Sequence, residues 1–384
     1  MSKLRVLVIS EVYWPEGSGG ELATYLWVEA LSREDIKVTV VTGTQAPTKS
    51  VGVDYVVMDE LRVSSRSRLW RVLRDVGSEL KPLIKDHDVV YIPRLAWPVV
   101  ALAKEVSKAS VLHLHDYSII DPSGFVLVDG APGASRYYVL GPSGFVKYLI
   151  SRRLWDKVVK YALMANAYVC VSRKQLSIIK ENLPELSSKL THIPNPAPPK
   201  SAELGELPEG ISKPYIVFPG GTSRLKGYHI VKEVAKLLKD EVKVVITKSE
   251  GHEVREEDNI VYVPRLRHGD YIALLKESLA MLHPSIWEEP MPYAVLEAAM
   301  IEVPVVATEV GGVPEILGKD YPLLINPKDP IKECLGAIRK LLREGELIRE
   351  KVKEVAQELK ERLKSEVLAK ELIKVFEKVL TKSS

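Results

Sequence analysis

The chain has 384 residues, 46% of them hydrophobic and 27% charged, and its 54 Lys and Arg against 51 Asp and Glu leave a formal net charge of +3. Such a length calls for two or three domains, the balance is that of a globular chain, and the near-neutral charge offers nucleic acid no basic excess. Only two cysteines occur, Cys170 and Cys334, each in an apolar stretch with no Cys/His cluster, which argues against a disulfide framework or zinc site and for a reducing cytoplasm.

The first apolar run, residues 4–9, is short and leads straight into Glu11 with no small-residue cleavage site. It therefore reads as a buried strand rather than a signal peptide. No stretch of the sequence is long enough to cross a bilayer. Further short β-branched runs follow at 38–41, 55–58, 89–92, 111–114 and 168–171, then at 215–218, 242–246, 260–263, 303–307 and 323–325. They alternate with amphipathic stretches, the first carrying Ala23, Leu26, Trp27, Ala30 and Leu31 at helical spacing. Near-continuous apolar strands between helices predict parallel sheets covered on both faces. The pattern stops at Pro194-Asn-Pro-Ala-Pro-Pro199, and residues 200–213 have a linker's composition. We therefore expect two doubly wound, Rossmann-like α/β domains, 1–199 and 200–384, with the final helix free to pack back on the N-terminal domain. In such sheets ligands lie outside the carboxyl ends of the strands. Sparse Asn, Gln, Cys and Met beside abundant Glu, Lys and Arg hint at a thermophile.

Five segments carry candidate chemistry. In Pro15-Glu-Gly-Ser-Gly-Gly-Glu21, Gly19 and Gly20 form a permissive loop after the first strand. Val111-Leu-His-Leu-His-Asp-Tyr117 closes a strand, and alternation puts His113 and His115 on one face, where imidazole can bond a sugar hydroxyl or carry a proton. Residues 143–161 interleave Lys147, Arg152, Arg153, Lys157 and Lys160 with aromatics. Peripheral contact with anionic lipid and an ordinary half-buried helix both fit that pattern. Phe218-Pro-Gly-Gly-Thr-Ser-Arg-Leu-Lys-Gly227 is a glycine turn in which Lys226, and Arg224 beside it, can neutralise a diphosphate. Finally, Glu289-Pro-Met-Pro-Tyr-Ala-Val-Leu-Glu297 suggests a helix with Pro290 and Pro292 in its first turn, Glu289 at its mouth and Glu297 about 12 Å along. Both carboxylates can accept vicinal hydroxyls, although two glutamates on a surface helix are ordinary. Asp86-His-Asp88 precedes its strand and makes a poor metal clasp.

The segment His283-Pro-Ser-Ile-Trp-Glu-Glu-Pro290, with Val303-Pro-Val-Val-Ala-Thr308 and Gly311-Gly-Val-Pro-Glu-Ile316, resembles the signature of glycosyltransferase family four, retaining enzymes of GT-B fold also called glycosyl transferases group 1. The glycine turn, His-Asp, Lys-Gly and Glu-to-Glu motifs occur in that family's order. The resemblance implies that Glu289 contacts the transferred sugar near its reacting carbon and Glu297 binds the ribose hydroxyls. It further implies that Gly19 and Gly20 approach the donor phosphate and sugar, that His115 contacts the sugar, and that Lys226 faces the leaving phosphate. Glu289, His115 and Lys226 are thus the expected catalytic set. Arg224, Met291, Pro292 and Tyr293 are expected at the donor, and Arg265 in the base pocket beside Lys248 and Leu266. Two departures stand out: Met291-Pro292 replaces an aromatic and a glycine, and Gly221 occupies the usual arginine position.

The expected activity is retaining transfer of a hexose from a nucleotide-diphosphate sugar, UDP or GDP, to a hydroxyl of a glycan, lipid-linked or small-molecule acceptor. The reading needs neither metal nor other cofactor, gives no nucleic-acid partner, and places the protein in the cytoplasm or at the inner membrane face. Two alternatives stay open: a non-catalytic GT-B subunit that binds glycan or nucleotide, and a phosphorylase or epimerase on the same fold.

Overall fold

A computed structural model describes residues 3–62, 69–128, 152–153, 155–198, 205–239 and 241–381, the side chains of 69–75 excepted. Each run expected as a strand is one, to within two residues at either end. Among the described residues, the first sheet contains β1 (Leu4–Ser10), β2 (Ile36–Thr42), β3 (Val53–Val57), β4 (Val89–Ile92), β5 (Ala109–Leu114), β6 (Ala167–Cys170) and β7 (Leu190–His192). Its spatial order is β3-β2-β1-β4-β5-β6-β7, with every pairing parallel. That is the Rossmann order with one strand added at the edge.

The second sheet contains β8 (Tyr215–Phe218), β9 (Lys243–Ile246), β10 (Arg255–Glu257), β11 (Ile260–Tyr262), β12 (Met281–His283), β13 (Val305–Thr308) and β14 (Leu324–Ile325). Its order is β10-β11-β9-β8-β12-β13-β14, parallel except for the β10–β11 hairpin. β7, β10 and β12 were not expected, because three residues are too few to show a period. β10 is also wholly charged and exposed, so nothing in its composition reads as strand.

The chain divides into two compact units, Met1–Phe125 with Pro132–Pro196 and Leu363–Ser384, and Val126–Ala131 with Ala197–Arg362. Compared with a single division after residue 199, the boundary shifts by three residues, and two further pieces, 126–131 and 363–384, change sides. Backbone bonding explains the first: Glu288 N–H donates to Val126 O at 2.8 Å and Val128 N–H to Ile286 O at 3.3 Å. Apolar burial explains the second. The Ser365–Thr381 helix buries Leu368, Leu372 and Phe376, and the Phe376 ring meets Tyr91 of β4 edge-on at 5.5 Å. Each sheet forms the core of its own unit, with β1, β4, β8 and β9 almost fully buried along their central residues. Both cysteines are buried, and burial pushes each thiol up to about 12. Among the described residues no helix is long and apolar enough to cross a membrane.

Candidate functional site

In the second unit the chain leaves β12 at His283 and runs irregularly to the Tyr293–Met300 helix. This loop carries Glu289 and is clamped from both sides. Gly312 N–H donates to Glu289 O at 2.9 Å, and Gly311 N–H donates to the Glu288 carboxylate at 2.5 Å. Gly311 has φ +52°, and a Cβ there would collide with the Glu289 carbonyl, so no other residue fits. On the other side Ile286 N–H donates to Leu225 O at 3.0 Å. Gly227, at φ +91°, lies so close to the Pro284 carbonyl that it too excludes a side chain.

These ties bring the Lys226 turn to the Glu289 loop. Lys226 Nζ stands 3.6 Å from Glu289 Oε1. His283 Nε2 lies 3.0 Å from Glu289 Oε2, at an angle poor for a hydrogen bond. Glu289 is only 8% exposed. Burial opposes its ionisation, but Lys226 and His283 outweigh burial and hold the carboxyl at about 2. At neutral pH it is therefore a carboxylate, able to accept hydroxyl protons in hydrogen bonds and unable to serve as a general acid.

The helix itself differs from expectation. It begins at Tyr293, with Pro292 in extended conformation as its N-cap, so Pro290 and Pro292 precede the first turn instead of forming it. Two prolines separated by one residue restrict Glu289 and Met291 to extended backbone, which delays helix entry. Glu289 thus sits in the loop, and only Glu297 is helical. Glu297 is 7% exposed and accepts from His268 Nε2 at 2.7 Å. That hydrogen bond is the main cause of the raised His268 pKa. Pro292 and Tyr293 are buried and Met291 half-buried. Burial, with Glu297 nearby, pushes the Tyr293 and Tyr271 hydroxyls well up. Arg265 is exposed after β11 and acts on Lys248 together with Lys226. Arg224 is exposed in the turn, where burial first and then its charge lower the His229 pKa.

In the first unit Gly19 and Gly20 are the opening residues of the Gly19–Ser32 helix, not a loop. Glu21 organises this entry: its Oε2 accepts from Ser18 N–H at 2.7 Å, and its Oε1 pairs with Arg94 Nη2 at 2.5 Å. The guanidinium lies directly over Gly20, leaving no room for a Cβ there. Glu11, at the end of β1, accepts Leu95 N–H at 3.1 Å. Burial raises its pKa despite Arg94. Sequence reasoning missed Glu11 and Arg94, which have no motif around them.

His113 and His115 do share a face, their rings stacked 4.7 Å apart. Burial pushes His113 down to about 3, and burial with His113 and Arg94 pushes His115 well below the usual range. His115 is therefore a neutral imidazole at physiological pH, which suits it to hydrogen bonding. Its Nε2 is buried without a partner among the described residues. Ser172 and Asn195 are structural: Ser172 caps the Arg173–Asn182 helix through Gln175 N–H, and Asn195 accepts from Trp27 Nε1 at 3.1 Å. Of the basic segment 143–161, residues 143–151 and 154 lie outside the described residues.

Residues 203–362 match the sequence profile of the glycosyl transferases group 1, so this segment is a domain of that type. A stretch of 121 residues is 36% identical to a Bacillus subtilis (strain 168) protein carried under the name of a teichuronic acid biosynthesis glycosyltransferase, TuaC, and the match spans 29% of each chain. Less than a third of that relative's length is thus covered. In structure the chain is similar to sucrose-phosphate synthase from Thermosynechococcus elongatus, with a TM-score of 0.71 at 15% identity, covering 99% of this chain and 100% of that one. It is also similar to Anabaena Alr3699/HepE in complex with UDP and glucose, with a TM-score of 0.69 at 14% identity, covering 98% and 100%. A glycosyltransferase from Rickettsia africae ESF-5 gives 0.68 at 14% identity, covering 99% of both. These likenesses show the fold: two mostly parallel Rossmann-type sheets of the kind found in GT-B proteins.

Proposed function

We propose that this chain is a glycosyltransferase that moves a hexose from a nucleotide-diphosphate sugar to an acceptor hydroxyl, with retention and without a divalent metal. The observation that carries the reading is the buried, ionised Glu289 held beside Lys226 at the carboxyl ends of the strands in a group 1 domain. In this scheme the bond from the anomeric carbon to the diphosphate oxygen breaks while the acceptor oxygen bonds the same face of that carbon. The acceptor's proton passes to the departing phosphate. Lys226 stabilises the charge that grows on that phosphate, the role a metal ion would otherwise fill. The Glu289 carboxylate accepts hydroxyls of the transferred sugar, and Glu297 accepts the ribose hydroxyls. The acceptor is a glycan, lipid-linked or small-molecule hydroxyl. Because HepE is described in complex with UDP-glucose, a UDP-sugar is the first donor to try, with GDP-sugars next.

The test is thermal unfolding of the full chain with UDP, GDP, ADP and their sugar conjugates, with and without EDTA, followed by a transfer or donor-hydrolysis assay. One nucleotide should stabilise, the shift should survive EDTA, and turnover should accompany it. Stabilisation by none of them would overturn the proposal. Stabilisation without turnover would favour a non-catalytic subunit.

A further inference from the structure

The Gly221 turn and the residue that packs on it point to a ligand for the donor diphosphate that no motif announces. β8 and β9 are adjacent parallel strands, and the chain leaves each at its carboxyl end, into Pro219–Gly221 and Thr247–Ser249. The second link is pinned on both sides. Thr247 N–H donates to Phe218 O and Ser249 N–H to Val263 O, each at 3.1 Å. Thr247 and Ser249 are buried, whereas Lys248 between them is exposed. Lys248 also has φ +60°, a left-handed backbone that costs a lysine roughly 1–2 kcal/mol and turns its side chain outward.

Gly221 faces this link. Its φ is +58°, and a Cβ placed on it would stand 3.0 Å from Lys248 O and 3.5 Å from Lys248 Cβ. A long cation at 221 would therefore be strained and would crowd the Lys248 link. We propose, building on the transferase reading above, that Lys248 binds the donor diphosphate together with Lys226, supplying from β9 the positive charge that residue 221 does not. The charges acting on Lys248 agree with this position. Desolvation of the amine, then Lys226, then Arg265 lower its pKa, while Glu297 and Glu289 raise it. The amine thus lies among the donor-site residues, in a field where two cations repel it. A dianionic diphosphate relieves that repulsion and gains charge-assisted hydrogen bonds.

Calorimetric titration of the full chain with a nucleoside diphosphate and the matching monophosphate tests this on wild type, Lys248→Met and Lys248→Arg. Wild type should bind the diphosphate more tightly. Lys248→Met should weaken the diphosphate by about tenfold and the monophosphate by less than about threefold, with Lys248→Arg close to wild type. A wild-type preference left intact in Lys248→Met, or equal losses for both ligands, would overturn the role of Lys248 alone. A wild type with no preference for the diphosphate would overturn the donor-site reading and this inference with it. The melting temperature should not move, since Lys248 is exposed.

Discussion

Replacing Glu289 by Gln keeps the side chain's shape and removes its charge, so it isolates what that charge does. The carboxyl is held at about 2 against an ordinary 4.5. At about 1.4 kcal/mol per tenfold, the native state favours the ionised form by roughly 3 kcal/mol more than the unfolded chain does. The sign follows from proton uptake. Below pH 4.5 the unfolded chain binds a proton at Glu289 while the native state resists until about pH 2. The stabilisation is therefore complete above pH 4.5 and drains away as pH falls toward 2. Between pH 7 and pH 3.5 wild type should lose about 1.4 kcal/mol through this group, and Glu289→Gln should lose none of it. Urea unfolding across that range measures the difference. A stability gap between the two proteins that stays constant from pH 7 to pH 3.5 would refute the argument, because the carboxyl would then be unperturbed.

Three further outcomes are expected. Gly311→Ala places a Cβ against the Glu289 carbonyl at a positive φ, so it should destabilise by more than about 2 kcal/mol and displace the Glu289 loop, seen as a lower melting temperature with loss of the proposed transfer. His113, held at about 3, binds no proton in the native state as pH falls below 6.5, whereas the unfolded chain does. Wild type should thus lose about 2 kcal/mol by pH 5 through this residue, and a His113→Phe variant should show a flatter pH profile in denaturant titrations. Phe376→Ala removes a fully buried ring that packs on Tyr91 and should cost about 3–5 kcal/mol in chemical denaturation, because the final helix is part of the first unit's core.

Much of the candidate site was legible because its residue types are locally specified. Gly227 and Gly311 occupy positive-φ positions that only glycine fills easily, and Gly227 directly follows Lys226. The helical position of Glu297 follows from spacing, while its expected role came from the resemblance. What failed was the expected start of the helix: Pro290 and Pro292 were placed in its first turn with Glu289 at its mouth, yet the prolines keep the chain extended to residue 292. Arg94 and Glu11 were invisible because their roles depend on β1 and β4 lying side by side, 84 residues apart in sequence.

The sequence by itself determined the two parallel sheets, since alternating apolar strands and amphipathic helices are a property of nearest neighbours along the chain. It also marked the turns and strand ends on which the candidate residues stand, because those are set by local composition. Only the tertiary structure decided the protonation states of Glu289 and His115, the pairing of Glu297 with His268, and the packing of Lys248 on Gly221. Burial and the charges that oppose it are set by groups brought together from distant positions, and no local pattern encodes that sum.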